Sequence, residues 1–193
     1  MAGLIAFIII VIIAGISLTV QISGRVKDKS LFNKHQPESR HWAKILYFYG
    51  SQISAGRTKI KLSDSRIFEA WGKIKDIGFK QLDGAENGEY QRSFVKNNGE
   101  VFLKDKLILS EKVYEINIDK NSRIFQINSS RYTTQVNNLL LTSQTYREGE
   151  LFCTRKELSP HYVEIIFNTD LVNSEELLVT SLIIMKERLT AGV

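Results

Sequence analysis

Cysteine is nearly absent. Cys153 is the only one, so no internal disulfide framework can hold the fold together, and in the apolar run Leu151-Phe152-Cys153 it reads as a small core residue. Proline is almost as scarce, with two residues, and no stretch is rich enough in Pro, Gly or Ser to be a disordered or low-complexity tract. Between Met1 and Gly24 there is no ionisable side chain at all. The three histidines, His35, His41 and His161, show no i, i+4 pairing and no cysteine partner, which argues against a zinc site. No serine sits in a G-x-S-x-G elbow. The stretch Gly50 to Thr58 has five residues between its glycines and Arg57 where a phosphate-binding loop needs lysine. Neither a catalytic constellation nor a cofactor motif is present, and no catalytic, cofactor-binding or metal residues are expected.

What is present is a folded composition, with 43% hydrophobic and 10% aromatic residues in 193. The first feature is the opening run. Leu4 to Val20 is interrupted only by Gly15, Ser17 and Thr19, and roughly 20 helical residues cross a hydrocarbon core of about 30 Å. A lone segment in lipid must satisfy its own backbone hydrogen bonds, so it is expected to be a helix in spite of its β-branched residues. No Lys or Arg precedes the run and no small-x-small site closes it, unlike a cleaved secretory signal. A type IV pilin spine usually carries glutamate at the fifth position, and here that residue is Ile5.

Charge is segregated. From Arg25 to Arg66 there are ten Lys/Arg against three Asp/Glu; the remaining residues carry sixteen against eighteen, which gives the net +5. An excess of basic charge confined to the forty or so residues after an apolar run points to anionic headgroups and not to nucleic acid. Arg25, Lys27, Lys29, Lys34, Arg40, Trp42 and Lys44 are the expected membrane-surface residues. The positive-inside rule then places the N-terminus outside and the C-terminus inside the cell.

The sequence therefore divides into an anchor (1–24), a basic juxtamembrane linker (25–37) and a globular domain (38–193). In that domain Trp42, Ile45, Leu46, Tyr49 and Ile53 have helical spacing. So do Ile67, Phe68, Trp71, Ile74 and Ile77, with Asp64 or Ser65 as cap and Gly78 as stop. Arg57 to Leu62 reads as a short strand. Period-two patterns then predict hairpins turning at Asn98-Gly99, at Asp119 to Ser122 and at Glu148-Gly149, with a last strand in Tyr162 to Asn168. Their outward positions are assigned to Arg92, Lys104, Glu115, Asn117, Arg123, Gln126 and Asn128, on an open sheet whose edges could accept another chain. A final helix starts at Asn173 or Ser174. The expected fold is α+β: a single transmembrane helix, then an antiparallel sheet of hairpins packed against two or three helices.

The expected function is a single-pass membrane-anchored interaction or sensing module, a non-enzymatic subunit or regulator whose partners are the bilayer and another membrane-associated protein. An exported periplasmic or pilin-like domain is the alternative, and a membrane-tethered enzyme is a third.

Overall fold

A computed structural model describes residues 2–47, 57–72, 76–97, 100–119, 124–137, 139–159, 161–168, 170 and 172–190. The predicted 50–56 stretch and the turns at Asn98-Gly99 and 120–122 lie outside them. The chain forms two compact units, Met1–Gln36 and Pro37–Val193.

The first unit is helix α1, Ala2–Lys34. At 1.5 Å per residue its uncharged part is about 34 Å long, enough to span a bilayer. The large apolar side chains from Leu4 to Val26 are 48–66% exposed on every face. The Thr19 hydroxyl donates to the Gly15 carbonyl at 2.9 Å, so this polar group is satisfied within the helix. The helix continues unbroken through Gly24 and the basic residues to Lys34.

The second unit contains twelve strands: β1 (His41–Tyr47), β2 (Thr58–Leu62), β3 (Ile67–Gly72), β4 (Asp76–Gln81), β5 (Asn87–Asn97), β6 (Glu100–Leu109), β7 (Lys112–Asp119), β8 (Ile124–Ile127), β9 (Ser130–Asn137), β10 (Thr142–Arg147), β11 (Glu150–Ser159) and β12 (Tyr162–Phe167), followed by helix α2 (Ser174–Thr190). Each strand pairs antiparallel with the next, and β1 pairs with β12 from His41↔Phe167 to Leu46↔Tyr162. The ladder is a closed barrel. This corrects the expected open α+β sheet: closure leaves no free edge for another chain to extend.

Two predicted helices are strands. Trp42, Ile45 and Leu46 lie in β1, where Ala43, Ile45 and Tyr47 belong to the common core and the intervening Trp42, Lys44 and Leu46 are buried as well. A strand apolar on both faces mimics helical spacing over one or two turns. The second expected helix, 64–78, is the β3–β4 hairpin. Asp64 accepts from the backbone N–H of Arg66 in the β2–β3 turn and caps no helix. Gly78 pairs with Trp71 across the strands. A Cβ on Gly78 would lie 3.0 Å from the indole ring, so the glycine that reads as a helix stop is the flat place on which Trp71 rests.

The other hairpins lie where the period-two pattern puts them. β5 and β6 pair as far as Asn97↔Glu100, β7 pairs with β8, and β10 turns into β11 with positive φ at both Glu148 and Gly149, the requirement of a type I′ turn.

Twelve strands about 4.8 Å apart, tilted by about 40°, enclose a ring roughly 22–24 Å across. A helix with its side chains is about 10–12 Å wide. One helix and one layer of inward side chains fill that bore, and α2 is that helix. Every residue from Leu177 to Met185 is at most 4% exposed, including Thr180 and Ser181, whereas a helix covering the outside of a sheet would leave one face wet. These residues form a single core cluster with inward positions from around the wall, among them Ile45, Phe68, Tyr90, Leu107, Ile116 and Phe152. Ser181 donates to the Leu177 carbonyl at 2.6 Å, and the Tyr47 hydroxyl reaches the Met185 carbonyl at 3.5 Å.

Candidate functional site

A plugged barrel offers its chemistry at its ends and in its wall. Strand direction assigns the connections to ends. The β2–β3, β4–β5, β6–β7, β8–β9 and β10–β11 turns, the β12–α2 segment and the residues leading into β1 share one end, where α2 enters; the other strand-to-strand connections share the opposite end.

At the entry end Asn173 caps α2. Its side-chain oxygen accepts from the backbone N–H groups of Glu175 (3.0 Å) and Glu176 (2.9 Å), while Glu176 Oε2 accepts from Asn173 N–H at 3.3 Å. This is a reciprocal capping box. Three rim cations then reach the same helical turn. Arg66 donates to the Ser174 carbonyl at 3.0 Å, Lys112 donates to both Glu175 oxygens at 3.0 Å, and Arg147 pairs with Glu176. They come from the β2–β3 turn, β7 and β10, about a third of the ring apart, and their convergence centres the helix.

Arg66 is also held by Asp64 (2.9 Å) and Glu86 (3.1 Å). Burial opposes its charge, but the hydrogen bonds to these carboxylates prevail and raise its pKa. Burial also pushes the Tyr132 phenol up to about 12, with the Glu176 carboxylate adding to the effect and Arg147 opposing it. Arg147 further stacks over Phe152, 5.2 Å from the ring centroid.

A cleft of about 730 Å³ opens between the start of α2, the β2–β3 turn and the β6–β7 turn. Its walls hold Asp64, Glu86, Glu111 and Glu175 against Arg66 and Lys112, so it is net acidic. Among the described residues no group of three or more His, Cys, Asp or Glu side chains could hold a metal ion. The cleft's arginine and lysine are engaged by carboxylates. Its net acidity is complementary to a basic surface.

The acidity extends over the whole end. Connections there contain Glu38, Asp64, Asp83, Glu86, Glu111, Glu148 and Asp170 against Arg40 and Arg66. Connections joining strands at the opposite end contain, in sequence, Arg57, Lys73, Lys75, Lys120 and Arg123 and no Asp or Glu.

Two further polar groups lie in the wall. Arg92 was expected to face outward; it faces the interior, where its Nε and Nη2 donate to Asp105 at 2.8–3.1 Å and the Tyr90 hydroxyl donates to the same carboxylate at 2.7 Å. Burial opposes the Arg92 charge, but the bonds to Asp105 outweigh it and raise its pKa. An arginine in a period-two strand gives no sign of its face until its partner strand supplies the carboxylate, here through the register Arg92↔Asp105. Lys104, Glu115, Asn117, Gln126 and Asn128 are exposed as expected; the Arg123 side chain lies outside the described residues.

On the outward side of β1, Lys44 lies between Glu164 of β12 and Lys61 of β2. Burial, then the Lys61 charge, lowers its pKa to about 8. Tyr162 donates to Glu164 at 2.6 Å. Of the residues expected at a membrane surface, Arg25, Lys27, Lys29 and Lys34 lie on the last third of α1 and Arg40 is exposed just before β1. Trp42 and Lys44 are buried in β1 and lie together, Nζ 5.0 Å from the ring centroid. Comparison of the chain with family models, with curated proteins and with solved structures finds no match in any of the three.

Proposed function

We propose that this chain is a single-pass membrane-anchored interaction module, with its N-terminus outside and its barrel in the cytoplasm, acting as a non-enzymatic subunit or regulator of a membrane-associated assembly. The observation that carries this reading is a barrel filled by its own helix behind a long apolar helix. Barrels that bind small ligands keep a cavity, whereas here the bore is occupied by Leu177 to Met185. Recognition is therefore assigned to the outer surface. The acidic entry end with its open cleft suits a partner presenting Lys and Arg, since complementary fields speed encounter and exclude wrong partners. Anchoring confines the module to two dimensions and raises its effective concentration toward other membrane proteins.

The basic residues that follow the apolar run support a cytoplasmic C-terminus through the positive-inside rule. The test is topology. Protease added outside intact cells is expected to leave residues 37–193 intact and to digest them once the membrane is opened. Digestion without opening would assign the barrel to the exported class, and release of a chain starting beyond Gly24 would make the apolar run a cleaved signal.

A further inference from the structure

The end of the barrel opposite the α2 entry carries an apolar tip. In the β9–β10 connection Leu139, Leu140 and Leu141 are 96%, 68% and 57% exposed, and Val136 and Leu158, each about 40% exposed, continue the patch at the ends of β9 and β11. A protein surface rarely presents three consecutive large aliphatic side chains to water. The tip is also held in shape. Asn137 Oδ1 accepts from the backbone N–H groups of both Leu139 and Leu140 at 3.1 Å. Leu141 adopts a left-handed φ of 50°, and its carbonyl accepts from Glu157 N–H at 2.9 Å. A patch already fixed in this way loses little conformational freedom when it is covered. The chain enters β1 at His41, opposite Phe167, so the residues leading into the barrel stand at the other end.

Whatever covers this tip must itself be apolar and must not bring a field of one sign. Beside the leucines, Asn137 and Thr142 are uncharged, while Lys156, paired with Thr142, and Glu157, bonded to Leu141, are of opposite sign. Two copies related by a twofold axis therefore meet leucine to leucine without like-charge repulsion. The five side chains expose the equivalent of about three whole leucines, roughly 500 Å². A contact between two such patches hides at most about 1,000 Å² in total, the lower bound of a specific protein–protein interface. That is too little for a tight dimer in dilute solution, but an anchor that confines the copies to two dimensions raises their effective concentration. We propose that the barrel forms a homodimer through this end, the Leu139–Leu141 tips of two copies packing on each other at the densities that membrane confinement supplies. The proposal rests on the reading of α1 as a transmembrane span and adds the partner that this surface takes, a second copy of the chain.

The test uses the full chain in phosphatidylcholine vesicles, with Cys153→Ala as background and one new cysteine, either Leu140→Cys at the tip or Ala85→Cys, exposed at the acidic end. A short, membrane-permeant thiol cross-linker is expected to give at least about fivefold more dimer at 140 than at 85. Diluting the protein about tenfold with lipid is expected to lower the dimer at 140 at least about threefold. Leu139→Ser with Leu141→Asn is expected to lower it at least about fivefold while the thermal transition of the barrel stays in place. A fluorophore at 85 leaves all three tip leucines intact, and bleaching in two steps is expected; single steps at the same density overturn the dimer. Equal cross-linking at 140 and 85, or a cross-link that survives the double substitution, overturns the tip contact. So does quenching of a label at 140 by brominated lipid, which would assign the tip to the bilayer, or cross-linking at 140 in cell membranes to a different protein in place of a second copy. Extraction of the chain by alkaline carbonate overturns the span instead, whichever cysteine cross-links.

Discussion

The two helices of this protein solve one problem in opposite ways. Both are apolar around their whole circumference, but α1 exposes its side chains at half to two thirds over some twenty residues while α2 hides Leu177 to Met185 almost completely. What separates them in sequence is the flanks. The run in α1 has no charge for 24 residues, and the charges that follow are mostly cations, with Asp28 among Arg25, Lys27 and Lys29. In α2 the Asn173 cap, Glu175 and Glu176 stand at the start, and these polar groups meet Arg66, Lys112 and Arg147 on a protein rim. A membrane supplies apolar surroundings without specific partners, whereas a barrel supplies an end with partners at fixed places.

The sharpest way to break this contrast is to place a carboxylate in each helix. Leu182→Asp puts an unpaired charge in the filled bore and is expected to cost more than about 4 kcal/mol, abolishing the cooperative thermal transition of the barrel. Ile10→Asp is expected to oppose insertion by about 2.5–3.5 kcal/mol, moving the protein into the alkaline-carbonate supernatant while the barrel melts as before. The wall around α2 comes next. Arg92→Ala is expected to cost about 3–5 kcal/mol by leaving Asp105 buried and unpaired, read from urea midpoints; Arg92→Met with Asp105→Leu should recover most of that loss.

The contrast can also be sharpened by pH. A phenol whose pKa rises from 10 in the unfolded chain to about 12 in the fold retains its proton longer when folded. The stabilisation is fully present below pH 10 and is lost as pH climbs to 12, at most roughly 2–3 kcal/mol. Denaturation midpoints measured from pH 9 upward should show a fall in the parent that is shallower in Tyr132→Phe. Smaller effects are expected at the entry. Asn173→Ala removes the α2 cap and should lower stability by about 1 kcal/mol in thermal melts. Lys112→Ala breaks an exposed ion pair and should change it by less than about 1 kcal/mol, an effect that disappears at high salt.

The legible parts of this fold were those where one local rule dominates. Glu148-Gly149 specifies a hairpin by backbone conformation alone, and Asn173 with Glu176 specifies a helix start. β1 was opaque because burial on both faces erases the period of two: Trp42 and Leu46 are as hidden as Ala43 and Ile45. In the β3–β4 hairpin the burial does alternate, but the outward Ile67 and Trp71 are themselves apolar and stand four residues apart, which imitates a helical face. Closure was not legible either, since it depends on pairing His41 with Phe167 across most of the chain. The expectation that α2 covers one side of a sheet failed for a related reason. Its sequence shows apolar width but not that a wall surrounds it. At the candidate site, Glu175 and Glu176 could be read as helix-dipole partners, but the cations they meet lie 63 and 29 residues upstream. The charge polarity of the two ends was present in the sequence and became visible only when strand direction sorted the connections.

The position of α2 in chain order has a consequence for biosynthesis. Ribosomes release β1 through β12 before the helix that fills their centre, and the first strand's final partner is the last strand made. The nascent wall therefore waits, unsealed and with its apolar lining uncovered, until residues 174–190 emerge. A stall or truncation just short of that point would leave a hollow, adhesive intermediate, the kind of species that chaperones retain and proteases remove.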